Sequence, residues 1–566
     1  MINVGMDFGS TYTTVSIFRE DTQVLESLSL GIGSPYISSV LALDKGAVKY
    51  GTAARLCTGK KDVRTFKAFK MLLPETDMAY LKLRGYDETY TPQKAAALFI
   101  ENILRQVLKD LHDTKIHQLV IGAPEIWNEH IHGHNGCEVL KNICERIDFI
   151  EHVQVISEPA AASAFFAHNF QKSTGKPFDG KILLVDYGGG TLDITLSDIL
   201  PSKKNTEEQN IEIKVLERTG AGENQDGQVG KAGIIYMETL MKAAIAQSGQ
   251  CAPEDIANDG AFYRAVDILE QELQYMTLNI SDTFEEYGID DIDELNEIEF
   301  AAIEYKNEEI HISYGLLVEI YNDLIRPILD DRLNQMITYM KKHDIAYMDR
   351  NQDIFKIALV GGFGNYYLVK KQIEDKFAFS SYDQRQKNII LNRADCEKAI
   401  SLGAALLAAG MVHICKTAPY EIGVWAYDGD GNLWQNTAIQ FRQTLICNYI
   451  YDVRTADGEK MVVYVSFGGL TKFMVSFGNR NDTPCMAVLK PEFAKILEDI
   501  CHEQCSFVHV GFSVDASETV HIHLQAYDVM NQCEDANKWD IPLAKFDEIF
   551  DFTEQRTAKA VPGNEG

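Results

Sequence analysis

The sequence predicts an α/β fold in which two similar lobes are followed by a smaller β-rich domain. The pattern of strand, Asp, glycine turn and strand occurs around Asp7 and again around Asp186, about 180 residues later. Apolar strands alternate with helical segments through roughly the first 400 residues, which is typical of an α/β fold. After Gly410 the helical periodicity gives way to short alternating strands.

These patterns also predict the domain boundaries. A chain of 566 residues has room for about three to five compact units. We expect the lobes at about 1–180 and 181–411, a linker at 412–418, the β-rich domain at 419–530 and a C-terminal tail at 531–566.

The bulk composition limits the partners. A net charge of -30 repels nucleic acid and anionic membranes, so we expect neither as a partner. Eleven cysteines are scattered along the chain, as expected of reduced thiols. We expect no signal peptide before the first strand, and no apolar run reaches the roughly 18 residues that span a bilayer. We therefore expect a cytoplasmic protein.

The first lobe opens with a predicted hairpin and continues with strands and helices. Residues 2–7 and 12–18 are the hairpin strands around a glycine turn. A helix is predicted over Pro92–Leu111, where Thr91 is the N-cap and Pro92 takes the first helical position. The remaining predicted elements are strands at 117–123, which ends at Pro124, and 153–156, and a helix at 160–167.

The second lobe repeats this pattern. Strands are predicted at 181–185, 192–197 and 356–360, and helices at 263–279, 316–341, 369–377 and 399–409. Strands of the β-rich domain are predicted at 420–427, 438–440, 460–465, 473–477, 508–514 and 519–526.

The two glycine turns predict a phosphate site. Glycine allows backbone N–H groups to crowd around phosphate oxygens. Asp7 and Asp186 would repel phosphates, so we expect them to hold Mg²⁺ through water. Two such hairpins facing each other would clamp a triphosphate between the lobes. The residues expected around the phosphates are Gly9, Ser10, Thr11, Tyr12, Gly188, Gly189, Gly190 and Thr191.

A third glycine turn lies at 358–364, between a strand and a helix. Gly361 and Gly362 would let a flat ring or a ribose approach the backbone. Close packing of the strand against the helix explains the same residues equally well.

Together these motifs resemble the heat-shock-protein-70 (DnaK-type) chaperones of the actin-like ATPase superfamily, which have a two-lobed, ribonuclease H-like fold. The resemblance runs in order through M-D-F-G-S-T-Y-T-T-V-S-I-F, I-S-E-P-A-A-A-S-A, V-D-Y-G-G-G-T-L-D-I-T, A-L-V-G-G and A-I-S-L-G-A-A. It implies ATP or ADP with Mg²⁺ in the cleft.

The resemblance also implies catalytic roles. Asp193 would add a carboxylate near the metal or near a monovalent cation such as K⁺, and Glu158 would orient or activate the attacking water. Lys70 would reach the transferred phosphoryl group, with Lys67 as the nearby alternative. Pro124 matches a family proline that relays nucleotide state, although it is equally well explained as the end of a strand.

The adenine site departs from the family pattern. Glu270 matches a family residue there, but the family's two cations are replaced by Leu273 and Gln274. Phe363 and Asn365 stand where the family has Ser and Arg, so we expect Phe363 to stack on the base instead.

The C-terminal part resembles the peptide-binding β-domain of the chaperones at 418–425 and 508–528. No helical lid is expected after it, and the linker position has an altered sequence. We therefore expect a slow ATPase whose nucleotide state regulates binding of a protein or peptide client, with a co-chaperone as a further partner. The alternative is a nucleotide-sensing scaffold with little hydrolysis. A small-molecule kinase is the third hypothesis.

Overall fold

The chain forms two units in the computed structural model, one over Met1–Ile126 and Val139–His413 and the other over Trp127–Glu138 and Ile414–Gly566. The structure describes residues 2–19, 21–30, 34–58, 60, 62–124, 127, 136–201, 211–221, 232–249, 256, 260–347, 355–377, 389–390, 397–414, 421–427, 433–439, 462–466, 472–478, 485–491, 507–514, 520–527, 538–542 and 550–554. No helix within these residues has the length and apolar composition needed to span a bilayer.

The first lobe contains a six-stranded sheet and a smaller three-stranded sheet. Its elements are β1 (Ile2–Phe8), β2 (Tyr12–Arg19), β3 (Val24–Ser27), β4 (Ile37–Ser38), β5 (Val40–Asp44), β6 (Ala47–Tyr50), α1 (Thr52–Arg55), β7 (Val63–Lys67), α2 (Met78–Leu83), α3 (Pro92–Leu111), β8 (Ile116–Ala123), α4 (Gly136–Glu145), β9 (Ile150–Ser157) and α5 (Glu158–Thr174). The larger sheet has the order β3-β2-β1-β8-β9, with β4 on β2, and the smaller one has the order β6-β5-β7.

The second lobe is built on another six-stranded sheet. Its elements are β10 (Gly180–Tyr187), β11 (Leu192–Pro201), β12 (Ile211–Ala221), α6 (Gly233–Gln247), α7 (Gly260–Tyr275), α8 (Thr277–Tyr287), α9 (Ile292–Asn296), β13 (Glu299–Tyr305), β14 (Glu308–Ser313), α10 (Tyr314–Leu324), α11 (Arg326–Lys342), β15 (Phe355–Val360), α12 (Tyr367–Lys376), β16 (Ile389–Ile390), α13 (Ala399–Ala408) and β17 (Val412–Ile414). The sheet order is β16-β15-β10-β11-β12-β17, and β13 pairs with β14 as a separate hairpin.

The two large sheets have equivalent topologies. In each, a hairpin of antiparallel strands is followed by two strands that add in parallel on the side of its first strand, β8 and β9 in one lobe and β15 and β16 in the other. The α/β fold with two similar lobes is therefore confirmed. A large core of apolar side chains lies on one face of the second sheet, beneath α6, α7, α10, α11 and α12.

Several predicted boundaries agree with the structure and others do not. Thr91 caps α3, since its hydroxyl accepts a hydrogen bond from the Lys94 N–H at 3.2 Å. The helix predicted over 316–341 is divided between α10 and α11, because Pro327 lacks the N–H needed to continue the helix and its ring clashes with the preceding turn. The helix predicted over 263–279 is likewise divided, between α7 and α8.

The hairpin of β13 and β14 was not predicted. Its apolar residues alternate with polar ones, and Lys306 and Asn307 at the tip both have positive φ, as two-residue hairpin turns require. The alternation across a two-residue turn is the sequence signal that would have found it.

The second unit contains two antiparallel sheets. Their strands are β18 (Glu421–Tyr427), β19 (Leu433–Ile439), β20 (Val462–Ser466), β21 (Lys472–Gly478), β22 (Cys485–Leu489), β23 (Phe507–Val514), β24 (Val520–Tyr527), β25 (Lys538–Pro542) and β26 (Phe550–Glu554). The orders are β19-β18-β21-β22-β26 and β20-β23-β24-β25. The β-rich character is confirmed, but β25 and β26 extend these sheets beyond the boundary predicted at residue 530. At the other boundary, the first three residues of the predicted linker form β17.

Two helices cross where the lobes join. The helix α5 follows a strand of the first lobe and packs on β10, β11 and β12 of the second, whereas α13 packs on β1, β2 and β8 of the first. A Cβ atom added at Gly403 would lie 1.7 Å from the carbonyl oxygen of Ala161, so the crossing leaves no room for a side chain there.

Candidate active site

The two predicted glycine turns lie against each other. A Cβ atom added at Gly189 would lie 2.3 Å from Thr11 Oγ1, and one added at Gly190 would lie 2.8 Å from Ser10 Oγ. The tip of the second hairpin therefore contacts the tip of the first through backbone that only glycine can provide. The predicted residues of both turns are brought together.

Other groups hold the carbonyl oxygens of each turn. Ser39 donates its backbone N–H to the Thr11 carbonyl at 2.8 Å and its hydroxyl to the Gly9 carbonyl at 2.6 Å. In the second turn, the Gly188 carbonyl accepts from the first residue of α6 at 3.2 Å, and the Gly189 carbonyl accepts from Ile234 at 2.8 Å. Engaged carbonyl oxygens present less negative charge to a phosphate. The sequence analysis missed Ser39, because it is brought to the turn by tertiary structure alone.

Carboxylates gather beside the turns. Asp7 ends β1, Asp186 lies near the end of β10, and Asp193 lies directly opposite Asp186 in the neighbouring strand. Glu158 is the first residue of α5, where Ser157 caps the helix by accepting the Ala160 N–H at 3.3 Å. Like charges this close repel each other, so the arrangement suits a bound cation.

The pKa values of these aspartates respond to their surroundings. Burial raises the pKa of Asp7 to about 7, and the negative charge of Glu158 acts in the same direction while Lys70 opposes it. Burial is also the main reason that the pKa of Asp186 is well above its usual range, with the charges of Glu158 and Asp193 adding to it. Both carboxyl groups therefore ionise less readily than an ordinary aspartate.

Lys70 is the cation within this group. Its ammonium group donates a hydrogen bond to Glu158 Oε1, and the two residues are only 3% and 4% exposed. Burial alone would lower the pKa of Lys70, but the charges of Glu158, Asp7 and Asp186 outweigh it and raise the pKa. Lys67, the predicted alternative, lies elsewhere, 3.4 Å from Asp267 on α7.

Gly122 makes room for Glu158. A Cβ atom added at Gly122 on β8 would lie 2.9 Å from Glu158 Cγ and 3.1 Å from a methyl group of Ile400. Any larger residue would displace the carboxylate. Pro124, the predicted relay, follows β8 at the same end of the sheet.

The third glycine turn lies next to the carboxylates. Gly361 has a φ of 76°, and a Cβ atom there would lie 2.5 Å from Asp186 Oδ1. Nothing lies within 4 Å of a Cβ atom added at Gly362, so this residue faces open space. A ring or a ribose would find room above Gly362.

Phe363 does not face that space. Its ring contacts Tyr187, Tyr236 and Tyr366, with ring centroids 5.0 to 5.5 Å apart, and it is 7% exposed. Its location within this aromatic cluster gives no support to the predicted stacking on a base.

Glu270 is engaged by a residue that the sequence analysis missed. Arg55 donates to Glu270 Oε2 at 3.2 Å and also to the hydroxyl of Tyr12 in the first turn. The same guanidinium lies 3.7 Å from Asp267. Arg55 therefore connects the first lobe to α7 of the second, and Glu270 serves that connection.

The carboxylates fit a hydrated magnesium ion. Among the described residues there is no ready-made cluster of three or more His, Cys, Asp or Glu ligands. Mg²⁺ commonly keeps several waters and takes one or two carboxylates together with substrate phosphates. Asp7 and Asp186, beside turns whose backbone suits phosphate, provide such a pair.

Comparison with known proteins finds similarity to chaperones of one family. A family model described as "Hsp70 protein" matches residues 51–203. The chaperone protein DnaK of Thermotoga neapolitana is 24% identical over 468 residues, covering 80% of this chain and 68% of the relative. DnaK of Thermoplasma volcanium is 25% identical over 494 residues, covering 85% and 71%. DnaK of Mycoplasmopsis synoviae is 28% identical over 206 residues, covering 35% and 30%. In its sequence, its repeated hairpin sheets and its β-rich second unit, the chain is similar to the Hsp70 family.

Proposed function

We propose that the chain binds ATP with Mg²⁺ between its two lobes and hydrolyses it slowly. The observation that carries the proposal is that two glycine turns contact each other beside a group of buried carboxylates. Lys70 donates a hydrogen bond to one of these carboxylates, Glu158. Backbone turns suit the phosphates, carboxylates suit a metal, and a buried lysine suits the charge of a transferred phosphoryl group. DnaK relatives over most of the chain's length support the same reading.

The chain's own residues would act by position and charge. Glu158 accepts a hydrogen bond from the attacking water and orients it toward the γ-phosphorus. Lys70 lies beside Glu158 and neutralises charge on the transferred phosphoryl group. Gly122 and the Ser157 cap fix where Glu158 lies. Asp193, opposite Asp186, adds a carboxylate near the metal or near K⁺.

The metal would be held by Asp7 and Asp186. When bound, Mg²⁺ neutralises the charge of the phosphate oxygens during transfer. Its positive charge would also oppose the burial and the neighbouring negative charges that raise the pKa of both aspartates.

The nucleotide would regulate the binding of a protein or peptide by the β-rich unit. We infer a cytoplasmic setting, an extended peptide as the client, and a co-chaperone as a further partner. A peptide that pairs along a strand edge is the chemistry that such sheets recognise. The γ-phosphate would bias a two-state element, as in other nucleotide switches.

A nucleotide-sensing scaffold is the second candidate. The burial of Phe363 in an aromatic cluster and the pairing of Glu270 with Arg55 favour it, because both leave fewer side chains for the base. A scaffold would bind ATP weakly and hydrolyse little.

Calorimetric titration with MgATP, beside an Asp186→Asn variant, tests the nucleotide site. We expect binding by the wild type and a large loss of affinity in the variant. A fluorescent unfolded peptide, titrated with ATP and then with ADP, tests the regulation. Equal peptide affinity in both nucleotides would contradict the switch, and no MgATP binding at all would contradict the whole proposal.

A further inference from the structure

A stripe of polar side chains runs along the buried strand β11. Asp193, Thr195 and Ser197 alternate with Ile194 and Leu196, and all five residues are fully buried. Successive side chains of a strand point to opposite faces, so the three polar residues share one face. The apolar face belongs to the large core of the second lobe. The polar stripe therefore lies on the opposite face of the sheet.

The helix α5 covers that opposite face. It packs on β10, β11 and β12, and none of its residues belongs to the large core cluster. Ala161 of α5 contacts α13 at Gly403. Ser163, two residues further on, is turned by roughly 200° around the helix, away from α13 and toward the sheet. Ser163 is also fully buried.

Three hydroxyls between this helix and this strand have unused hydrogen-bonding capacity. Among the residues that the structure describes, no protein group pairs with Ser163 Oγ, Thr195 Oγ1 or Ser197 Oγ. Buried hydroxyls almost always have a partner, because leaving one without a hydrogen bond is costly. Three such groups in one helix–strand interface point to a shared small ligand.

The neighbouring interface of α13 shows the contrast. There Ser401 bonds directly to Thr14 at 2.9 Å and to Ser16 at 2.8 Å. Ser401 of α13 thus pairs directly with hydroxyls of β2, whereas no described protein group pairs with the three hydroxyls of α5 and β11.

The pairing of β11 with its neighbour is irregular at one end of the stripe. The pairing of β11 with β12 shifts between Leu196 and Ser197. The extra residue is Leu216 of β12, so β12 is the strand that bulges beside Ser197.

We propose that Ser163, Thr195 and Ser197 bind internal water molecules between α5 and β11, in a file that begins beside Asp193. Water is the ligand of matching chemistry, since a buried water usually has two to four polar partners and a hydroxyl both donates and accepts. The file lies beneath the helix whose first residue is Glu158. It is independent of any nucleotide and therefore does not rest on the proposed function.

The first test is the thermal stability of Thr195→Val, which has the same shape without the hydroxyl. A hydroxyl without a ligand is improved by an apolar isostere, so its removal would leave stability unchanged or higher. If the hydroxyl binds a water molecule, its removal instead costs that hydrogen bond. We therefore expect the unfolding temperature of the full chain to fall by about 2 to 4 °C in Thr195→Val. Thr338→Val is the matched control, because its hydroxyl bonds only to the Asn334 carbonyl on an exposed helix face.

The second test is a crystal structure at a resolution that shows ordered water. We expect waters within hydrogen-bonding distance of Thr195 Oγ1 and Ser197 Oγ, and their loss from Thr195→Val. Ser163→Ala, a smaller change, should give the same sign of stability effect if the valine variant does not fold. Direct bonds from these hydroxyls to protein groups, or a variant as stable as the wild type, overturn the proposal.

Discussion

Lys70 and Glu158 form a buried ion pair beside the two glycine turns. Lys70 follows β7 in the chain and Glu158 begins α5, so elements far apart in the sequence bring opposite charges together. Asp7 and Asp186 lie close to this pair, so the positive charge of Lys70 offsets part of the negative charge of three carboxyl groups.

Replacing Lys70 with Met should destabilise the nucleotide-free protein. Removing one partner of a buried pair leaves an uncompensated charge and costs about 3 to 5 kcal/mol. Scanning calorimetry should show a clear fall in the unfolding temperature of the first unit. Lys82→Met is the control, since Lys82 pairs with Glu88 at the surface, where the two side chains are 54% and 68% exposed. Equal unfolding temperatures for the two variants would mean that the Lys70–Glu158 pair does not balance the site.

The pKa of Asp7 predicts how stability depends on pH. Its folded value of about 7 lies above the ordinary 3.8, so the folded state binds more protons than the unfolded state between these values. The stabilising contribution is therefore present at low pH and is lost as pH rises through about 7. Without nucleotide or metal, the unfolding temperature should be higher at pH 6 than at pH 8.

An Asp7→Asn variant should reduce this pH dependence and be more stable than the wild type at pH 8. Asp148→Asn, at an 84% exposed side chain, should keep the wild-type profile. A flat profile in the wild type would contradict the burial of a titrating Asp7.

Arg55 should slow the release of nucleotide. It spans from Tyr12 in the first turn to Glu270 on α7, with its side chain 15% exposed. Loss of charged hydrogen bonds of this kind is worth about 1.5 to 3 kcal/mol, so Arg55→Ala should release fluorescent ADP at least about tenfold faster in stopped flow. Arg64→Ala is the matched control, because Arg64 forms its ion pair with Asp87 inside the first lobe and does not reach the second. Equal release rates would show that the connection does not hold the cleft closed.

Two glycine substitutions separate packing from binding. Gly403→Ala should destabilise the first unit by about 1 to 3 kcal/mol, because its methyl group would meet the Ala161 carbonyl at the helix crossing. Gly362 has helical φ and ψ of -61° and -37°, and nothing lies within 4 Å of a Cβ atom added there. The unfolding temperature of Gly362→Ala should therefore equal that of the wild type. If the base or ribose lies above Gly362, that variant should nevertheless bind MgATP more weakly in a calorimetric titration. An unchanged affinity for MgATP would show that neither the base nor the ribose lies above Gly362.

Local sequence patterns were sufficient to predict most of the secondary structure and the two lobes. The hairpins around Asp7 and Asp186 and the capped helix α3 depend on turn glycines, alternation and capping, which are properties of short segments. Their repetition in order then predicted the two lobes. The division of the helix at Pro327 was also visible in the sequence, since proline interrupts the hydrogen bonds of a helix.

Contacts between distant segments were not predictable in this way. Ser39 bonds to a turn some 30 residues away, and Arg55 reaches Glu270 across the cleft. Phe363 looked available to a base because its partners Tyr187 and Tyr236 lie far away in the chain. Nothing in the local sequence of these residues indicates their partners.

The central claim is that Glu158 and Lys70 act together in ATP hydrolysis, and single-turnover hydrolysis tests it most directly. The wild type, Glu158→Gln and Lys70→Ala would each be loaded with MgATP, and bound ATP and ADP would be followed over time. We expect slow hydrolysis by the wild type and at least about a hundredfold loss in both variants, with ATP still bound. Three proteins that bind ATP and are equally inert would contradict the catalytic assignment and favour the nucleotide-sensing scaffold.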